Sequence, residues 1–137
     1  RLDKIRAEQM ANKQKPRYDG HCRHLDIDPA EPHVVRFRNP EDGEVVFDDL
    51  VRGGQRLAVR EIGDFVVQRS DGSTPFFFSN VVDDAEGGIT HVLRGEDHLS
   101  NTPRQLLLLD ALGLDAPRYG HLPLVVDPAH APIKHTA

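Results

Sequence analysis

Residues 1–14 are polar, with Leu2, Ile5, Met10 and the alanines at helical spacing, which predicts a helix with a modest apolar stripe. "KPRYDGHCRH" (15–24) breaks that pattern with Pro16 and Gly20 and reads as a loop, and "DPAEP" as a further turn. β-type patterning follows. "HVVRFR" alternates, "GEVVFDDLV" is strand-like, and "NPEDG" (39–43) between them predicts a hairpin. "RLAVREI" and "DFVVQRS" read as two more strands divided by Gly63. "FFFSNVV" (76–82) is a continuous apolar run, expected as a strand buried on both faces, and "ITHVL" as a short strand after the polar "DDAEGG" turn. The period then changes. Thr102, Pro103 and Gln105 form a capping-box pattern with proline at the first helical position, Leu106–Leu112 continue the helix, and Gly113 is placed to end it. "HLPLVVD" (121–127) reads as another buried strand. The pattern therefore predicts an antiparallel β-rich first half, then strand, strand, helix, strand, as in a piece of an α/β sheet.

The bulk numbers narrow the function classes. With 137 residues the chain has one domain's worth of core, and 38% apolar against 28% charged residues is a globular balance. Net charge is −5, so the chain is no general nucleic-acid coat and any RNA contact should be local. A lone cysteine, Cys22, excludes a disulfide framework and points to a reducing, cytoplasmic setting. No run reaches the roughly 18 apolar residues of a membrane span, and no signal-peptide pattern is present. The chain opens on Arg1 rather than Met, which suggests a fragment or the ordered part of something longer.

Candidate chemistry concentrates in "RGEDHLSN" (94–101), between a strand and a helix start. In open α/β sheets ligands bind outside the carboxyl ends of strands, near helix N-termini that favour anions. Arg94 is a fixed cation suited to bidentate binding of a carboxylate or phosphate, and Gly95 permits close backbone approach. The same residues also fit a solvated loop in which Arg94 pairs with Asp97, Asp83 or Asp84. Asn80, inside an apolar run, is either a satisfied core amide or a ligand contact. Asp83 and Asp84 suit either acid–base work or a loop cap. Cys22 and His24 are half of a possible zinc set, or a buried thiol beside a surface histidine.

"RYDGHCRH", "VVFDDLVRG", "VVDD", "GITHVLRGEDHLSNTPRQLLLLDALG" and "APRYGHLPLV", in that order, resemble bacterial glutamyl-tRNA synthetase, a class I aminoacyl-tRNA synthetase. The resemblance runs nearly the whole chain, and "THVLRGEDHLSNTPRQ" is its most specific string. It implies part of a Rossmann-type α/β catalytic domain: residues 1–70 as a β-rich (α+β) insertion contacting the tRNA acceptor end, and residues 71–137 as a portion of the second Rossmann half. It implies ATP-dependent activation of glutamate, with Mg2+, and transfer to the 3′ end of tRNA, by a cytoplasmic enzyme expected to be monomeric. Little covalent work falls to side chains in such a reaction, so no acid or base is assigned; positioning and charge stabilisation carry the rate.

By that resemblance Arg94 contacts the glutamate side-chain carboxylate, and Asn80, His98 and Phe76 line the amino-acid pocket. Phe76 stands where relatives often have tyrosine, so a hydroxyl contact is missing. Asp97 maps to a position near ATP and the tRNA end, and His121 and Leu124 to the strand leading to the nucleotide site. Some relatives hold zinc in the insertion. Cys22 with His24, or Tyr18 with Cys22, fits the second half of such a site, while the first Cys pair is not in this sequence. Neither ATP motif of the family, the "HIGH"-type nor the "KMSKS"-type, is found. The tail reads "PAHAPIKHTA", with only Lys134 in the expected loop. This polypeptide alone is therefore expected to be inactive in glutamate activation. The remaining alternatives are a paralogue that glutamylates a modified tRNA base and a non-catalytic RNA-binding module derived from the family; "EDHLSNTPRQ" favours the synthetase proper.

Overall fold

Valine, phenylalanine and a tight Asp-capped turn build the first sheet. Strand β2 (Glu44–Asp49) pairs antiparallel with β3 (Gly53–Ala58), Val45 opposite Leu57 and Asp49 opposite Gly53. The Asp49 carboxylate closes the turn by accepting the Val51 and Arg52 backbone N–H groups at 2.9 Å each. These positions belong to a computed structural model that describes residues 2–12, 20, 31–126 and 128–129. Helix α1 (Leu2–Ala11) forms where the apolar spacing predicts it.

The hairpin expected across "NPEDG" does not form. Strand β1 (Val35–Phe37) pairs antiparallel with β4 (Phe65–Gln68), while β2 takes β3. The polar residues of that loop are used differently. The Asn39 backbone N–H donates to Asp64 Oδ1 at 2.8 Å, and its side-chain amide donates to the Gly63 carbonyl. The loop is thus tied to the start of β4 instead of turning β1 onto β2. The run "RLAVREI" is also split: β3 stops at Ala58, and Val59–Ile62 form a short helix α2 that buries Val59 and Ile62.

The largest departure is "FFFSNVV". It is helix α3 (Phe76–Glu86), not a strand. A continuous apolar run does not by itself distinguish the two, but the spacing does. Phe77, Phe78, Val81, Val82 and Ala85 pack on the core at i, i+1, i+4, i+5 and i+8, one face of a helix. Phe76 falls outside that stripe and is 63% exposed. The core joins Val45, Val59, Ile62 and Phe65 to Val81, Leu108 and Leu109, so residues on both sides of position 70 share it. Phe37 stacks on Phe65 at 5.2 Å, Phe65 meets the Phe77 edge at 5.6 Å, and the Arg104 guanidinium lies within 6 Å of both of the latter rings.

Strands β5 (His91–Gly95) and β6 (Arg118–Leu122) pair in parallel. Parallel neighbours need a crossover. Here it is a 3-10 helix (Glu96–Asn101) running into α4 (Thr102–Leu112). β6 starts at Arg118 and ends at Leu122, earlier than the expected 121–127 strand, because Pro123 cannot donate to the ladder. The β2–β3 turn docks on β6 through the Leu50 N–H, which donates to the Tyr119 carbonyl at 2.8 Å. Among the described residues no helix is long and apolar enough to cross a membrane.

Helix α4 begins at Thr102, one residue before the expected start, and ends where the sequence places it. Gly113 is left-handed (φ 69°, ψ 28°), its N–H bonded to the Asp110 carbonyl at 3.1 Å. A Cβ built there meets nothing within 4 Å, so only the backbone conformation opposes a side chain. Gly113→Ala is therefore expected to loosen the last turn by roughly 1–2 kcal/mol. Hydrogen exchange at Gly113 and Leu114 should accelerate at least about fivefold; unchanged exchange would contradict the left-handed cap.

Candidate functional site

The site sits at the carboxyl ends of β5 and β6, where Arg94 lies opposite His121 and Gly95 opposite Leu122. Arg94 Nε donates to His121 Nε2 at 3.2 Å. Its Nη2 donates to Thr102 Oγ1 at 2.6 Å and to Gln105 Oε1 at 2.7 Å. Its guanidinium lies 5.0 Å from the Tyr119 ring centre. Gln105 is itself anchored, its amide donating to the Phe77 carbonyl at 3.0 Å. The capping-box reading is thus corrected. Thr102 is already helical, and the hydroxyl and amide of Thr102 and Gln105 turn away from capping to hold Arg94.

Behind Arg94 stands Asp49. Its Oδ2 bonds His121 Nδ1, and its Oδ1 accepts the His121 backbone N–H at 3.1 Å. Neither side chain has exposed surface. Burial raises the carboxyl pKa, but the hydrogen bonds from His121 and from the Arg52, Val51 and His121 backbone outweigh it and hold Asp49 well below the usual carboxylate range. A carboxylate at Nδ1 fixes the imidazole proton there. Arginine is always charged, so Nε2 must accept from Arg94, and the Thr102 hydroxyl, 2.9 Å away, also donates to it. His121 is thus held in one tautomer, its single Nε2 lone pair shared between the Arg94 N–H and the Thr102 hydroxyl.

Asp49, His121 and Thr102 have the connectivity of an acid–base–nucleophile triad. They are not one. Thr102 and His121 are fully buried, and the Thr102 oxygen already faces Arg94. The cluster holds a cation in place.

What Arg94 can do follows from its donors. Nε and both Nη2 hydrogens are engaged by these acceptors, so the side-on fork that the sequence suggested for a carboxylate is occupied. The two Nη1 hydrogens lie outside this set. Burial lowers the Arg94 pKa, opposed by Tyr119, Asp84 and Asp97. Burial pushes Tyr119 up to about 12, opposed by Arg94 and reinforced by Asp84.

Of the other sequence-predicted residues, Asp97 lies close enough to Arg94 to oppose the lowering of its pKa. Asp97 sits beside Gly95, where a Cβ would meet its carboxylate and lie 3.2 Å from Leu124 Cδ2, so a side chain there would displace the exposed Asp97 carboxylate. His98 Nε2 is 3.6 Å from Asp97 Oδ2, and its ring faces Phe76 with centres 6.2 Å apart. Asn80 is half-buried on α3, one turn from both Phe76 and Asp84, not in a buried strand. The Arg52 side chain crosses to Glu96 at 2.7 Å, placing the β2–β3 turn against the same loop. Tyr18, Cys22 and His24, the suggested zinc ligands, lie outside the described residues. Among the described residues no three His, Cys, Asp or Glu side chains gather to hold a metal.

Sequence reasoning missed Asp49 and Tyr119, and misread Thr102 and Gln105. A signal for Asp49 was present. Val45, Phe47 and Asp49 alternate along β2, which puts a carboxylate on the buried face of the strand.

Residues 1–132 match the family described as class I tRNA synthetases (E and Q), catalytic domain. The chain is 52% identical over 139 residues to glutamate–tRNA ligase 2 of Nitrosococcus oceani, and 53% identical over 131 residues to glutamate–tRNA ligase 1 of Coxiella burnetii. It covers 29% and 28% of those proteins, which cover 96% and 93% of this chain in return, so it spans under a third of its relatives' length. A crystal structure of a glutamate tRNA ligase from Elizabethkingia meningosepticum in complex with its amino acid superposes with a TM-score of 0.77 at 33% identity, over 93% of this chain and 28% of that one. Glutamate-tRNA synthetase from Elizabethkingia anophelis gives 0.77 at 32%, over 98% of this chain and 30% of that one. With a parallel βαβ unit carrying its polar cluster at the strand ends and a family match over nearly its whole length, the chain belongs to the class I tRNA synthetase (E and Q) catalytic-domain family.

Proposed function

We propose that this segment belongs to a glutamate–tRNA ligase and supplies the contact to the side-chain carboxylate of glutamate. The observation that carries this is the Arg94 guanidinium, held by His121, Thr102 and Gln105 with its Nη1 end outside that set. A fixed cation at strand ends suits a small anionic group and rejects an uncharged amide in its place. Phe76, Asn80 and His98 would form the walls of the pocket, and Asp97 and Leu124 the side toward ATP and the tRNA end. His121 acts behind Arg94 rather than on the nucleotide.

In the full-length enzyme a glutamate α-carboxylate oxygen attacks the α-phosphorus of ATP. An acyl–phosphate bond forms, the α–β phosphoanhydride breaks, and pyrophosphate leaves. The 3′-terminal ribose hydroxyl of tRNA then takes the acyl group and AMP departs. Mg2+ accompanies ATP and neutralises phosphate charge. The residues of this chain orient glutamate and hold its carboxylate. Residues 1–70 would carry the insertion that meets the acceptor end. A structural zinc ion in the full-length protein would draw on Cys22 with His24 or Tyr18, together with ligands outside this sequence.

The test is glutamylation by the full-length protein of intact tRNA and of tRNA with a periodate-oxidised 3′ end. Glutamate-dependent ATP–pyrophosphate exchange with acceptance only by intact tRNA is expected. Acceptance by the oxidised tRNA would instead assign the paralogue that modifies a base. No exchange with glutamate would overturn the reading.

A further inference from the structure

We infer that Asp49 and His121 are positioning residues for glutamate recognition: the Asp49–His121 pair fixes the orientation of Arg94 from behind, so the β2–β3 turn sets the aim of the amino-acid contact. The inference rests on the proposed role of Arg94 and adds residues on a different strand.

Three observations carry it. First, the chain of contacts is continuous and oriented. Asp49 accepts from His121 Nδ1, and the single lone pair of His121 Nε2 faces Arg94 Nε at 3.2 Å, with the Thr102 hydroxyl 2.9 Å from the same nitrogen. Second, the groups behind the guanidinium are not solvated enough to rearrange cheaply. Asp49 is 4%, His121 0%, Thr102 0% and Gln105 1% exposed. Third, Asp49 is locked from its other side. Its Oδ1 holds the Val51, Arg52 and His121 backbone N–H groups, so only Oδ2 is left to face the ring. The ring proton is therefore set by a residue on the β2–β3 hairpin, and with it the acceptor that Arg94 Nε requires.

Asp49→Asn tests this by changing chemistry while keeping shape. The amide oxygen can keep the three backbone donors, as Oδ1 does now. The amide NH2 then faces His121 Nδ1 and forces the proton onto Nε2, where it meets the Arg94 Nε–H instead of accepting from it. In the full-length enzyme, steady-state ATP–pyrophosphate exchange should show the KM for glutamate raised at least about tenfold, with the KM for ATP within about twofold of wild type. A purely structural role would lower the active fraction and leave both KM values unchanged.

Thr102→Val, which removes the hydroxyl between Arg94 and His121, is measured beside it and decides the matter if Asp49→Asn does not fold. It should shift the glutamate KM in the same direction. Arg94→Ala separates the two layers of argument. If Arg94→Ala raises the glutamate KM and neither Asp49→Asn nor Thr102→Val does, the positioning inference is overturned and the role of Arg94 stands. If Arg94→Ala leaves the glutamate KM unchanged, the proposed pocket itself fails.

Discussion

Arg94→Ala in the full-length enzyme should cut kcat/KM for glutamate by at least about 30-fold, with the KM for ATP little changed. Truncating one member of a desolvated charge pair costs roughly 2–5 kcal/mol, and each 1.4 kcal/mol is about tenfold. The lower bound applies because one nitrogen, not a bidentate fork, is left to meet the substrate. Discrimination against glutamine should fall in parallel, since an uncharged pocket no longer distinguishes carboxylate from amide by charge. The measurement is glutamate-dependent ATP–pyrophosphate exchange with glutamine as competitor. An unchanged glutamate KM would sink the assignment. Lysine is no conservative substitute here: a single ammonium cannot span acceptors on β6 and on α4 as the planar guanidinium does.

The largest loss of stability is expected from Asp49→Ala. The carboxylate has no exposed surface and accepts from the Val51, Arg52 and His121 N–H groups as well as from the His121 ring. Its removal strands the two buried His121 donors and loosens two part-buried N–H groups of the turn, at about 3–5 kcal/mol in total. The effect has a pH dependence of definite sign. Asp49 titrates below its usual value of 3.8 in the folded protein, so the unfolded chain binds its proton first as pH falls. The stabilisation is complete above the usual value and is lost as pH drops below it toward the folded value. In denaturant titrations the gap between wild type and Asp49→Ala should be constant near neutrality and narrow only below about pH 4. A gap that narrowed between pH 7 and 5 would point to a different group.

How much of this was legible in the chain depended on whether the information was local. Helix α4 was, because Pro103 and Gly113 mark its ends by their own backbone preferences. The place of the polar loop was, because "RGEDHLSN" interrupts apolar patterning where a strand meets a helix. The family was, through one long ordered string that a fold-level pattern could not have supplied. Strand pairing was not: β1 has two candidate partners, and the choice was made by Asn39 reaching residues 63 and 64, a contact between loops far apart in sequence. Helix α3 was misread because its apolar density hid a helical stripe. The role of Thr102 was misread because the same residues that could cap a helix are also good acceptors for an arginine arriving from a neighbouring strand. Asp49 was legible only as a face, not as a partner, since His121 lies on a strand far along the chain.

The docking of the β2–β3 turn on β6 bears on how freely this region can be exchanged among relatives. At Gly120 a methyl group would lie 2.6 Å from Leu93 Cδ2, the movable end of an exposed side chain, and 3.3 Å from Leu50 Cβ, so the turn and the parallel pair meet closely there and a side chain would require both to shift. The hairpin also contributes Val45 to the shared core and Asp49 to the cluster behind Arg94. Chimeras that swap residues 43–58 as a cassette should therefore be viable only when donor and host agree on the acid, the turn length and the glycine together. The β2–β3 hairpin and the loop carrying Arg94 would evolve as a coupled unit, with changes in one confined to those the other tolerates.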